Sequence, residues 1–556
     1  MSNTIGFSNF RKFINFPEQE LGNITILVGG NNAGKSTLVK AMLLMRDFLK
    51  SRIERNSDTG INDIFTFRPQ FSFDTEHVNI GDFYRAFCRQ SPKKEEAISF
   101  TIKIDKYRFV VDVRGERKTG VMPEVSMISV SDENGDVDFT FDFTRYRMLA
   151  KFDSSNKPNN GKNINEAKLL NLRKKSLSQK LKELHKVLSE SEDLEKISSL
   201  KVEIGRMQLE LNQILSELMK TEKTAKDDHF HIKVYGEKSI NLYFYNGLEV
   251  GRLMIPELIR GFARFAADGI KGDKRSKVYR EEKSGRTFLG GKAMKIAEIA
   301  DEMETALNKQ VIEYIYAHSV YQDSVYANCA NSSDYTKRTI HEFYTSRISK
   351  GDEEFTLIEK WLKEFKIGDS FKVVSYKGDN YSLVIYDKDN PEITNVRQKG
   401  YPGGIDLADK GMGSIQVVIL LLRIATLIRK YKGQQLTVLL EEPEQNLHPV
   451  LQSKLADFIF EVNKNFGLRF VIETHSEYLV RHSQVIAASQ MYEEGISLSE
   501  VNESIKVLYI SQERGVVDML FSNNAKFQDS FDEGFFDQAA RESLTISRLE
   551  RVYKNK

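Results

Sequence analysis

The chain has 556 residues, 40% hydrophobic and 29% charged, with a formal net charge of +2. That length exceeds one compact core, the composition is that of a folded soluble protein, and the near-neutral balance excludes a general polyanion binder, so any nucleic-acid contact has to come from a local patch. Cys88 and Cys329 form no metal-ligand spacing and no disulfide framework, and they read as buried thiols of a reducing, cytoplasmic setting.

Along the chain, "NTIGFSNFRKF" and "NITILVGG" read as strands, from their alternation and β-branched residues. The start has no apolar signal-peptide core, and "STLVKAMLLMRDFLKSRI" follows at helical spacing. A β-rich stretch covers about 97–152, and the polar breaker "DSSNKPNNGKN" begins at residue 153. Beyond it Leu177, Leu181, Leu184 and Leu188 form one apolar seam, and Ile197, Leu200, Ile204, Met207, Leu211, Ile214 and Leu218 form a second. These heptad spacings predict an antiparallel coiled-coil hairpin over 153–228, although two helices packed on the body would give the same pattern. Between 229 and 432 a mixed lobe is expected. It holds strands at "HIKVYG" and "SINLYFYN", a helix over 292–318, and a hairpin over 370–389 turning at "KGDN". Its basic run at 271–286 is either a solvated loop or a phosphate-backbone contact. The longest apolar run, 417–428, carries Arg423 and is too short to span a bilayer, so no membrane partner is expected.

The chemistry concentrates in four places. "GGNNAGKST" follows a strand, opens a helix and satisfies G-x-x-x-x-G-K-[ST] through Gly29, Gly34, Lys35 and Ser36. Such a loop, with Asn31, Asn32 and Thr37 in its cradle, wraps phosphates with backbone N–H groups; Lys35 neutralises phosphate oxygens and Ser36 offers a hydroxyl to Mg²⁺. "LTVLLEE" ends on two adjacent carboxylates that a strand points to opposite sides. Glu441 is expected on the Ser36–Mg²⁺ side and Glu442 on the γ-phosphate side as general base. "LRFVIETHSEYL" is another strand, with His475 at its tip to sense the γ-phosphate. "DKGMGSIQ" puts Gly411 and Gly413 before a helix with Gln416 in its first turn, a second anion-binding turn. One P-loop plus a second such turn suggests two copies sandwiching two ATP molecules.

This motif order resembles the ABC-type ATPases of the RecF, Rad50 and SMC branch, and more closely the bacterial ATPases related to the OLD family. "FSNFRKF" is similar to the family's Asn-Phe-Arg signature, which would bring Arg11 to the nucleotide. "LLEEPEQNLHP" matches Walker B and the D-loop, whose Asn446 and His448 would face a partner subunit, and "ETHSEYL" matches the H-loop. The resemblance implies an α/β ABC-type P-loop ATPase head, a mixed sheet with flanking helices and the inserted hairpin, divided as 1–152, 153–228, 229–432 and 433–556. It implies an ATP hydrolase using Mg²⁺, with Lys35, Glu442 and His475 catalytic and Ser36, Glu441 and a Q-loop glutamine at the metal. Gln70 and Gln90 are the candidates for that glutamine, Gln70 the first choice. Glu441 stands where the family usually has Asp. The short stretch after the H-loop lacks an Asp-x-Asp pair, so no intrinsic nuclease is expected. The chain is similar to the ATPase subunits of two-gene anti-phage systems, the Septu type with an HNH nuclease partner and the PARIS type with a Toprim-like one. The competing expectation is a RecF-like DNA-repair ATPase that grips DNA through 271–286 and the hairpin.

Overall fold

The computed structural model describes residues 3–53, 69–92, 97–116, 123–133, 135, 137–145, 147–153, 207, 229–235, 248–268, 288–316, 322–387 and 404–554. The expected coiled-coil hairpin (residue 207 and its first residue, 153, apart), the basic run at 271–286 and the expected strand "SINLYFYN" lie outside these residues.

The strand Ile24–Gly29 is buried at every position, as a strand covered on both faces must be. It sits inside a six-stranded sheet ordered Gln310–Ile315, Gln435–Glu441, Arg469–Thr474, Ile24–Gly29, Ile505–Ser511, Gly515–Asp518. The first five strands are parallel and the last is antiparallel. Alternate residues face different cores. Leu27, Leu439, Val471 and Leu508 belong to one, while Ile26, Leu440, Ile472 and Val507 belong to the other. The sheet is therefore the wall between two apolar cores, and its strands put their carboxyl ends on one rim. Open parallel sheets bind ligands at that rim.

The first core lies against an eight-stranded antiparallel sheet built from strands between Asn3 and Tyr235. Helix Lys35–Leu49 feeds Leu38, Met42, Met45 and Leu49 into this core at three- and four-residue spacings. In the same sheet Arg147–Asp153 pairs antiparallel with His229–Tyr235, so the segment between them leaves and re-enters at opposed residues, Asp153 and His229.

The second core holds helix Met412–Lys430, which is long and apolar enough to cross a membrane but is mostly buried within the domain. Arg423, midway along it, donates to Glu313 at 3.1 Å and also to Glu342. A buried guanidinium needs such paired acids to offset its lost hydration. The hairpin at 370–386 forms as expected, with Gly378 and Asp379 at positive φ in its turn. The helix expected over 292–318 does not run through. Helix Phe288–Lys309 ends, and Gln310–Ile315 is an edge strand beside Gln435–Glu441. "VIEYI" is rich in β-branched and aromatic residues, and pairing in the sheet overrides the helical period that precedes it.

Candidate functional site

Strand Ile24–Gly29 passes into helix Lys35–Leu49 through a loop that only glycine permits at two places. Gly34 has φ 118°, and a Cβ there would sit 2.5 Å from the Phe13 ring; a Cβ on Gly29 would sit 2.6 Å from the Ile510 carbonyl. No side chain caps the helix, and its first turn holds no acid, which leaves a positive N-terminus for an anion. Lys35 is buried, with Nζ donating to Gly29 O at 2.9 Å and Gly30 O at 3.3 Å and lying 3.0 Å from His475 Nε2. Burial holds the Lys35 ammonium below its ordinary range, with nearby Glu473, Glu442 and Glu444 opposing that shift. Burial, then the Lys35 cation, hold the His475 imidazole low as well.

Four carboxylates gather at the ends of two neighbouring strands. Ser36 Oγ donates to Glu473 Oε1 at 2.7 Å; Glu473 is 4% exposed, and its Oε2 is buried without a hydrogen-bond partner among the described residues. Burial raises the Glu473 pKa. Glu442 leaves the strand at φ 41°, a left-handed conformation costly for a residue with a Cβ, and its N–H donates to Glu473 O at 2.7 Å. Its carboxylate lies 3.4 Å from His475 Nε2 and accepts from Gln445. Glu444 is buried and accepts from Thr474 Oγ1 at 2.6 Å and from the His475 N–H at 2.8 Å, tying the two strand ends together. Glu441 pairs in register with Glu473 and accepts from the Tyr314 hydroxyl on the edge strand. Burial, then this bond, push the Tyr314 pKa far up.

These groups open onto a cleft of about 730 Å³. Arg11, Lys12, Lys35, Lys40, Arg85 and Arg89 line it, against the carboxylates of Glu442 and Glu473. Lys12 reaches over to the Asn32 carbonyl, and Asn31, Asn32, Gly34, Ser36 and Thr37 complete the wall. Gln90 lines the cleft too, on a segment that Asn9 holds by accepting from Ser91 Oγ at 2.6 Å and from the Cys88 N–H at 2.8 Å. Asn9 and Arg11 are both at positive φ, which turns the strand end back toward the loop.

A cleft this basic suits a polyphosphate. The unpartnered, buried Glu473 oxygen beside the Ser36 hydroxyl suits a hard divalent cation. No cluster of three His, Cys, Asp or Glu side chains stands ready for a metal among the described residues.

The turn at Gly411–Gln416 is not part of this cleft. Gly411 precedes helix Met412–Lys430 with no side-chain cap, and it is exposed. A Cβ on Gly413 would meet the Asn446 carbonyl at 2.4 Å, so glycine is required by that close approach. Gln416 accepts from Asn446 Nδ2 at 3.3 Å and is buried. Asn446 and His448 are exposed beside the turn, and His448 caps the helix Pro449–Phe466.

The structure thus gathers Arg11, the loop residues from Gly29 to Thr37, Glu442 and His475 at one rim, and it corrects one sequence expectation. Ser36 meets Glu473 on the intervening strand, while Glu441, paired in register with Glu473 one strand further out, accepts from Tyr314. Gln70 is not at the cleft: it is exposed in a bridge with Glu124, and Gln90 takes that place. Glu473, Glu444, Lys12, Lys40, Arg85 and Arg89 went unread. Only Glu473 had a local signal, an acid buried in an apolar strand two residues before His475.

The family described as AAA ATPase domain matches residues 1–480. No curated protein matches the chain. Among solved structures, the Smc head domain of Pyrococcus furiosus, with an extended coiled coil and bound to the C-terminal domain of ScpA, is 9% identical over 99% of each chain, with a TM-score of 0.32. An Smc head bound to the C-terminal winged-helix domain of ScpA is 11% identical over 93% of this chain and 97% of that one, with a TM-score of 0.30. Neither likeness is close enough to say what this chain does.

Proposed function

The chain belongs to the AAA ATPase domain family, and from that premise we propose that it hydrolyses ATP in a pair of heads and uses the cycle to hold or release a separate effector in cytoplasmic anti-phage defence. The observation that best supports the ATPase half is the joined set Lys35, His475 and Glu442 at one strand rim, with Ser36 on the same loop. Lys35 exchanges the loop carbonyls for phosphate oxygens, and the amides of the loop and the helix N-terminus carry the rest of the charge. Glu442 accepts the proton of the attacking water as its oxygen bonds to the γ-phosphorus and the bond to the β-phosphate oxygen breaks, leaving ADP and phosphate. His475, kept in place by Glu444, holds the γ-phosphate side of the cleft. Ser36 and the neighbouring carboxylate would hold Mg²⁺, which would supply positive charge to the phosphates.

The exposed turn at Gly411–Gln416 supports the paired reading, since it offers an uncapped helix N-terminus to the nucleotide of a second copy. The defence half rests on the motif resemblance alone, with a nuclease of HNH or Toprim-like type as the effector and no nuclease in this chain. Nucleic acid, if bound, would meet the basic run at 271–286. Purified protein should turn over ATP and lose both binding and turnover in Lys35→Ala. Gentle purification from its host with ATP and Mg²⁺ should bring a nuclease-like protein in fixed ratio. Repair proteins instead, with turnover accelerated by duplex DNA and steeply salt-dependent, would replace the defence half by a DNA-repair role.

A further inference from the structure

We infer that the carboxylate facing the nucleotide's divalent cation beside Ser36 is Glu473, and not the strand-end acid Glu441 that the motif puts there. The inference rests on the ATP-binding reading above and assigns one more residue of that site.

Strand order is the first reason. Arg469–Thr474 lies between the P-loop strand and Gln435–Glu441, with Glu473 beside Leu27 on one side and Glu441 on the other. An acid at this height on the middle strand is one strand nearer to Ser36 than Glu441 is. The contacts agree: Ser36 Oγ reaches Glu473 Oε1 at 2.7 Å, and Glu473 is among the residues lining the cleft. Glu441 lines a different, small gap with Tyr316, Tyr335, Gln416 and Pro443, and its carboxylate accepts from Tyr314.

The second reason is an unmet demand. Glu473 is 96% buried by its 4% exposure, yet its Oε2 has no hydrogen-bond partner among the described residues. A buried carboxylate oxygen left without a donor is costly, and native proteins keep few of them without a use. An oxygen of that kind, on a carboxylate that lines the basic cleft and holds the Ser36 hydroxyl, meets the preference of a hard cation for oxygen ligands or for acceptors of its bound waters. One oxygen of Glu441, by contrast, accepts from Tyr314.

The test uses the full-length protein, a fluorescent N-methylanthraniloyl ATP, and Mg²⁺ or EDTA. Wild type should bind the probe in EDTA and tighten about tenfold or more in Mg²⁺. Glu473→Gln should keep or improve its EDTA affinity, since a negative charge beside the phosphates is gone, and should lose the tightening. Glu441→Gln should tighten as wild type does. With Mn²⁺ in place of Mg²⁺, the nucleotide-dependent loss of the free-ion EPR signal should persist in Glu441→Gln and vanish in Glu473→Gln. Full tightening in Glu473→Gln, or its loss in Glu441→Gln, overturns the assignment. If Glu473→Gln does not fold, Glu441→Gln decides alone by the same criterion. A wild type that binds no probe under either condition removes the ATP reading itself, and this assignment with it.

Discussion

The P-loop cleft and the signature turn are built on opposite plans. The cleft is complete within one chain: Lys35 meets His475, His475 meets Glu442, and Ser36 meets Glu473. The turn is equally well fixed, with Gly413 pressed against Asn446 and Gln416 bonded to it, but its open helix N-terminus faces solvent instead of the cleft. A site that carries its own catalytic groups needs no help to bind nucleotide. The helix end at the turn has no side-chain cap and no acid in its first turn, so it can take an anion. On the proposed reading the cleft of one copy and the turn of another act together in hydrolysis, and turnover and nucleotide binding should then separate on mutation.

Glu442→Gln gives the sharpest separation. Removing a general base lowers turnover by about a hundredfold or more, and filter binding of labelled ATP should be unchanged. Turnover near the wild-type rate would take Glu442 out of the base role. Gly34→Ala attacks the other property. A methyl group thrust at the Phe13 ring, on a residue held at φ 118°, should deform the loop and abolish nucleotide binding by calorimetry. Gly413→Ala strikes the turn instead. Its Cβ would collide with the Asn446 carbonyl, so turnover should drop about tenfold while each copy binds ATP as before. Equal losses of binding and turnover there would merge the two regions into one. The smallest effect belongs to Tyr314→Phe. Losing the hydrogen bond to Glu441 should lower stability by about 1 kcal/mol in denaturant melts and leave Mg²⁺-dependent ATP binding intact.

Local features were legible in the sequence, and non-local ones were not. The strand, glycine loop and helix around Lys35 could be read because each is specified by its own residues: β-branched alternation, glycines at forced positions, a lysine and a hydroxyl at the helix start. The acid pair after "LTVLL" was legible for the same reason. Which acid meets Ser36 was not, because alternation along one strand cannot reveal that another strand intervenes; only the sheet order brings Glu473 forward and leaves Glu441 to Tyr314. The glutamine at the cleft is a similar case. Gln90 is there because Asn9, far away in sequence, holds Ser91 and Cys88. The helix expected through residue 318 failed where "VIEYI" found a sheet edge to pair with.

The most direct test of the two-half account is the mass of Glu442→Gln in solution, measured by light scattering with ATP and Mg²⁺ and again with ADP. The account predicts that the mass in ATP is twice that in ADP, and that adding Gly413→Ala to the same chain abolishes the difference. One mass in both nucleotides, from protein shown to be loaded with ATP, would contradict it.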